Sequence, residues 1–383
     1  MWALSDSETN TAFPACAIGA AVPVRVLLVA PYAPRGGGMG RVMAYLADTA
    51  DREFAFETVE SGGARGLGPG VWQWLRAAGT IWCAAAGPDS VILHVNMAEG
   101  GSILRKGLLL LLGNALGLHT ILHLHAAEIV PFYARQAAPV RAWIRAVFRS
   151  ADGCIVLGQE WRGWLRDSVG VEARRIDVLR NGVPAPHVSA LRPCASPLTI
   201  VFLGNLLPRK GLPDLLAALA DPALRDLDWE LVVAGSGCAA PVQAAARRLG
   251  LERRVRCTGW LDRAACTALL ANAAMLVLPA YHEGLPLVLL EAASLGVPAI
   301  TTPVGAIAEV FTDGDTALLV PPGDIAALAG AIGRMLRDAA LRTRIGRNAR
   351  ALFRQSLSIQ AMRRDLADIY GRRCRGRRGL VGR

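Results

Sequence analysis

Short apolar runs rich in branched residues recur along the chain, separated by stretches in which apolar residues return every three or four positions. In the first half these runs are VRVLLVA (24–30), SVILHV (90–95), HTILHLH (119–125), GCIVLG (153–158) and RIDVLRNG (175–182). A strand buried on one face would alternate apolar and polar residues. Near-continuous runs predict strands covered on both faces, as in a parallel sheet. GRVMAYLADTA (40–50) and VRAWIRAVFRS (140–150) carry helical spacing and supply the crossovers that parallel strands need.

PAPHVSALRPCASP (184–197) breaks the pattern with prolines and small residues and reads as a linker. The alternation then restarts with LTIVFLG (198–204), WELVVAGSG (229–237), RVRCTGW (254–260), AMLVLPA (274–280), PAITTP (298–303) and ALLVPPG (317–323). The fold class this predicts is α/β: two doubly wound parallel-sheet, Rossmann-like domains facing across a cleft, with ligands at the carboxyl ends of the strands. The boundaries are an extension over 1–23, an N-terminal domain over 24–186, a linker over 187–197 and a C-terminal domain over 198–355. Residues 356–383 read as a C-terminal helix returning to the N-terminal domain, followed by a basic tail.

A chain of 383 residues exceeds what one core usually serves. Hydrophobic residues at 53% against charged residues at 19% exclude a disordered chain. Eight cysteines, none in a CxxC pair, suggest neither a zinc ribbon nor a disulfide framework and fit a reducing, cytoplasmic setting. The N-terminus lacks a basic leading segment, so no secretory signal is expected. GLLLLLGNALGLHTILHL (107–124) is the most lipid-like stretch, but Asn114, His119, His123 and glycines interrupt it. It reads as a buried helix followed by a buried strand rather than a membrane span. The net charge of +11 is almost all arginine, the only lysines being Lys106 and Lys210. Such a balance suits nucleic acid, anionic lipid or phosphorylated ligands. No aromatic stacking platform or recognition motif accompanies it, so nucleic acid is not an expected partner.

Four motifs carry candidate chemistry. In APYAPRGGGMGRV (30–42), Gly36, Gly37, Gly38 and Gly40 follow the first strand. They let backbone approach an anion at a helix start, or simply form a strand-to-helix turn. LHLHAAE (122–128) ends a strand with His123 and His125 on one face. His125 is the candidate at the cleft and His123 the better core residue. A His-x-His metal site completed by His94 or Glu128 is the alternative, without a further ligand set downstream. FLGNLLPRKGLPDLLAAL (202–219) places Arg209 and Lys210 in a strand-to-helix loop, where two cations beside helix-start amides clamp a diphosphate or sit in a solvated turn.

The fourth is YHEGLPLVLLEAASLG (281–296), with seven residues between Glu283 and Glu291. In one continuous helix the two acids would stand about 12 Å apart and about 80° round the axis. Pro286 argues instead for a helix that begins there, leaving Glu283 on the preceding loop and Glu291 on the second turn. The free amides of Leu287 and Val288 then point where Glu283 points. Carboxylates accept sugar hydroxyls, and a helix start holds phosphate.

With GGGMGRV, LHLHAAE, VLRNGVP, FLGNLLPRKG, VVAGSG, CTGW and above all EGLPLVLLEAASLGVPAITTPVGAIAEV, the chain resembles the family 4 glycosyltransferases over about residues 24 to 350. The resemblance implies retaining enzymes of GT-B fold that use nucleoside-diphosphate sugars, with no metal and no other cofactor. It implies that His125 lies at the acceptor side of the donor sugar and that Glu283 holds sugar hydroxyls near the reacting carbon. Glu291 would bind the nucleotide ribose, and Lys210 the diphosphate. The loop around Gly37 and Gly38 would approach that diphosphate from the other domain. Asn205 stands where many members carry arginine, and Arg209 is expected to supply the charge. Ala126, Ala127 and Glu128 replace the small residues that usually follow the histidine.

The reaction so implied is metal-independent hexosyl transfer with retention, the acceptor attacking from the leaving group's face. Lipid-linked saccharides of bacterial envelope or exopolysaccharide assembly are common acceptors in the family. An anionic membrane surface is the further expected partner, at the inner face of the plasma membrane. Arg141, Arg145 and Arg149 form a stripe beside Trp143, Ile144, Val147 and Phe148, and Arg105 and Lys106 precede an apolar run. An ordinary half-buried helix is the other reading of that stripe. A nucleotide-sugar epimerase and a non-catalytic partner of the same fold are the alternative functions.

Overall fold

The computed structural model describes residues 24–30, 37–48, 53–61, 67–88, 90–186 and 196–378. The extension over 1–23, Gly36, most of the linker (187–195) and residues 379–383 of the basic tail lie outside them. The first sheet contains β1 (Val24–Ala30), β2 (Phe54–Glu60), β3 (Val91–Met97), β4 (His119–Leu124), β5 (Gly153–Val156) and β6 (Ile176–Val178). Their order is β2-β1-β3-β4-β5-β6, all parallel. The second sheet contains β7 (Leu198–Leu203), β8 (Trp229–Ala234), β9 (Val255–Gly259), β10 (Met275–Leu278), β11 (Ala299–Thr301) and β12 (Leu318–Leu319). These run β12-β11-β10-β7-β8-β9, again all parallel.

The continuous apolar runs are the inner strands. Val26–Ala30, Ile200–Phe202 and Met275–Leu278 have no exposed surface, as helices on both faces of a parallel sheet require. The edges depart from the sequence expectation. β2, FAFETVE, is a strand that the search for apolar runs passes over. At the sheet edge Phe54 and Val59 are buried while Ala55, Thr58 and Glu60 face solvent, so its pattern is mixed. The runs at 175–182 and 317–323 yield only the three residues of β6 and the two of β12. Each of those strands has one neighbour, and Pro321 and Pro322 lack the amide hydrogen a longer β12 would use.

The carboxyl ends of the two sheets face one another. Asn181 Nδ2 donates to the Leu285 carbonyl at 2.9 Å, and the Gln159 amide to Glu309 at 2.7 Å. The helix Ile359–Arg378 lies against the first sheet. The Tyr370 hydroxyl is 2.6 Å from His94 Nδ1, and Arg373 Nε is 3.0 Å from Asp177. Stretch 107–124 divides between α3 (Gly101–Ala115) and β4. Among the described residues no helix is long and apolar enough to cross a membrane.

Candidate functional site

The loop after β7 closes on the loop after β10. A 3-10 turn, Pro208–Lys210, is followed by Gly211 at φ 71°, and a Cβ there would stand 1.9 Å from the Pro279 carbonyl oxygen. Only glycine lets the cation loop press so closely on the end of β10. The result is an ion pair between Lys210 Nζ and Glu283 Oε1, both largely buried. Arg209 Nη1 approaches the same oxygen at 3.9 Å and donates to the His282 carbonyl at 2.7 Å. Gly305 does the same from β11: a Cβ there would meet the Glu283 carbonyl at 2.0 Å. Asn205 is exposed on this loop. Arg209 stands beside Glu283.

The helix Leu287–Leu295 begins one residue later than the sequence suggested, with Pro286 as its N-cap. The amides of Leu287 and Val288 belong to its first turn and have no acceptor within the helix. Glu291 lies on the second turn, and Arg41 reaches it from the other domain. Arg41 Nη1 is 3.0 Å from Oε1, with the Tyr45 hydroxyl at 3.5 Å. Both belong to α1 (Gly37–Ala47). Burial, reinforced by the Glu291 carboxylate, pushes the Tyr45 phenol up to about 12, so it remains a donor. Arg263 stacks over the Tyr45 ring at 4.8 Å. Gly37 opens α1 at φ 63°, and among the described residues neither Gly37 nor Gly38 has a neighbour that a Cβ would meet. The sequence reading did not single out Arg41, although it is the only charged residue between Gly37 and Ala47.

The facing wall is built from imidazoles. His125, just past β4, has Nε2 2.9 Å from Asn96 Oδ1. His123 stacks beside it at 4.0 Å between centroids, and its Nδ1 is 3.2 Å from His94 Nε2. His94 thus bonds Tyr370 through one nitrogen and His123 through the other, while His123 Nε2 is buried without a hydrogen-bond partner among the described residues. Burial pulls His94 and His125 down to about 3 and His123 well below its ordinary value, so all three rings are neutral. Glu128, three residues beyond His125, stands 4.0 Å from Arg209 Nε. The histidine loop and the cation loop therefore face each other across the cleft.

The residues expected to face a membrane scatter. Lys106 is a correction: it is 2% exposed, and its ammonium donates to the Asn96 carbonyl at 2.5 Å. It lies on α3, and its flanking apolar residues Leu109 and Leu110 also turn inward. Arg105 and Arg141 are half-buried, Arg145 donates to the Tyr133 hydroxyl at 2.9 Å, and Arg149 is exposed. Ile144, Val147 and Phe148 have no exposed surface, so the apolar stripe of the helix Ala138–Ser150 is core. Several exposed apolar side chains lie instead on α2 (Leu67–Ala85) and α3. Val71, Trp72, Leu75 and Trp82 on α2, with Leu104 and Leu108 on α3, are each more than two fifths exposed.

Solved structures of similar fold span nearly the whole molecule. Sucrose-phosphate synthase from Thermosynechococcus elongatus matches with a TM-score of 0.73 at 19% identity, covering 91% of this chain and 98% of that one. Anabaena HepE in complex with UDP matches at 0.69 and 17%, covering 91% and 100%. These define the class: two Rossmann-like domains in the GT-B arrangement. The family model of glycosyl transferases group 1 matches residues 193–352. Glycogen synthase of Mycobacterium tuberculosis is 31% identical over 259 residues, 66% of this chain and 61% of that one. The alignment thus spans less than two thirds of that relative's length. Residues 193–352 thus resemble the group 1 glycosyltransferases.

Proposed function

We propose that the protein transfers a hexosyl group, with retention, from a nucleoside-diphosphate sugar to a saccharide acceptor, lipid-linked, in bacterial polysaccharide assembly. The observation that carries this reading is the pairing of Lys210 and Arg209 with Glu283 on the loop that leads into the helix Leu287–Leu295, with Glu291 on the second turn of that helix. Cations and helix-start amides stabilise a leaving diphosphate where its charge develops, so no metal is needed. Glu283 is already engaged by two cations, which suits holding sugar hydroxyls rather than attacking carbon. The bond from the anomeric carbon to the diphosphate oxygen breaks. The acceptor oxygen bonds that carbon on the same face, and its proton passes to the departing phosphate oxygen. His125 lines the acceptor side. HepE, of the same fold, was solved with UDP, and the glycogen synthase likeness supports a saccharide acceptor.

The lipid-linked acceptor places the protein at the cytoplasmic face of an anionic membrane, and the α2–α3 surface is the part that suits it. Trp72 is exposed there with the Arg76 guanidinium 4.7 Å over its ring, an apolar anchor beside a cation. Nucleoside diphosphate release from a panel of nucleotide sugars, in chelator, tests the catalytic reading. Release from one donor, lost in Glu283→Ala, is expected. No turnover and no binding of any donor would overturn it.

A further inference from the structure

Asn96, on β3, has no exposed surface, and three partners hold it. Its Nδ2 donates to the Val29 carbonyl at 3.3 Å. A carbonyl only accepts, so the amide fits one way round. Oδ1 therefore faces His125 Nε2 at 2.9 Å. An amide oxygen also only accepts, so the Nε2 of His125 must carry a proton. The half-buried ring is neutral, held at about 3 by desolvation and then by His94 and Lys106, so its single proton is spoken for. Nδ1 keeps its lone pair. From the third side, the Asn96 carbonyl accepts from Lys106 at 2.5 Å. That ammonium is shut in with the Met39 sulfur 3.8 Å away.

We propose that Asn96 is a positioning residue that locks His125 in its Nε2–H tautomer, so that Nδ1 accepts a hydrogen bond from a sugar hydroxyl in the cleft, with Lys106 bracing the Asn96 peptide. This deepens the glycosyl-transfer reading and rests on it for the identity of the hydroxyl. The opposite tautomer would present a donor at Nδ1, and a hydroxyl could meet it only by turning its own hydrogen away. A fixed tautomer thus fixes the direction in which the hydroxyl points.

Long-range 1H–15N correlation spectra of histidine-labelled protein report the tautomer of each ring. A His125→Gln spectrum identifies the His125 signals among the six histidines. The wild type is expected to show His125 only as Nε2–H, without titration between about pH 5 and about pH 8. Asn96→Leu is expected to mix the tautomers. Asn96→Asp keeps an acceptor oxygen, so it retains Nε2–H while its charge moves His125 titration toward neutral pH. A wild-type Nδ1–H ring, or an unchanged tautomer in Asn96→Leu, overturns the proposal. Should Asn96→Leu not fold, the wild-type spectrum and Asn96→Asp decide the same point. These readouts need no substrate. A locked ring in a chain that turns over no nucleotide sugar would sink the transfer reading and leave the lock standing. Where transfer is present, Asn96→Leu lowers kcat/KM by about tenfold, the worth of one neutral hydrogen bond, and Asn96→Asp restores part of it. Mixed tautomers with unchanged kcat/KM overturn the positioning role.

Discussion

On the wall of the cleft built by the second sheet, charge meets charge: Glu283 is paired with Lys210 and Arg209, and Glu291 with Arg41 reaching across. On the facing wall, burial keeps three imidazoles neutral, and with the amide of Asn96 they make directional hydrogen bonds. Both walls are built around the carboxyl ends of parallel strands, so the fold alone does not set their character. Under the proposed transfer, the difference follows from what each would meet. A developing diphosphate needs cations that stay charged, which burial permits only when a carboxylate stands beside them. A neutral ring held in a fixed orientation offers a sugar hydroxyl a single directional acceptor.

The contrast can be broken most deeply on the charged wall. Lys210→Ala leaves Glu283 with only the more distant Arg209. The expected loss in kcat is about a hundredfold to a thousandfold, as for removal of one preorganised charge-stabilising group, read from nucleoside diphosphate release.

Lys106 offers a test on the neutral wall. Burial, followed by Arg105, lowers its ammonium to about 7. A depressed lysine pKa means that the unfolded chain binds the extra proton between that value and the ordinary one of about 10.4. Through that window stability therefore rises with pH, by at most about 1.4 kcal/mol per unit. Lys106→Met should flatten the rise, as measured by denaturant unfolding of both proteins at several pH values. A wild-type slope no steeper than that of the variant would show that the ammonium is not held there.

Glu291→Ala sharpens the comparison within the charged wall, since Glu291 is assigned to ribose and not to the reacting centre. Donor KM should rise about tenfold to a hundredfold, the worth of hydrogen bonds to a charged group, with kcat changed less. An equal fall in kcat would place Glu291 nearer the chemistry. The smallest effect is expected outside the cleft. Trp72→Ser should weaken sedimentation with anionic vesicles several-fold, in proportion to about 1–2 kcal/mol of lost apolar burial, while Ile144→Val should leave it unchanged.

The charged wall was largely legible because its parts are close in sequence. Glu283, Pro286, Leu287 and Glu291 lie on one loop and one helix, so proline chemistry and helical geometry relate them without tertiary knowledge. Arg41 was not legible, because it meets its partner 250 positions away. Asn96 carried a faint signal: with His94 it places two polar residues on alternate positions of an apolar strand, hence on one face. Lys106 and the helix Ala138–Ser150 misled for a common reason. Periodicity reports that a helix has an apolar stripe but not what lies opposite. The stripe through Ile144 and Phe148 packs inward, while a comparable stripe through Val71 and Leu75 faces out.

Two parallel-sheet domains, the cation loop and the spaced glutamates were determined by the sequence alone, because they depend on runs and spacings within some twenty residues, where backbone geometry is predictable. Tertiary structure decided which acid meets which cation, which histidines lose their charge, which lysine is buried and which helix face is left bare. Those outcomes depend on distances between segments far apart along the chain, and on how much water the packing leaves at each group.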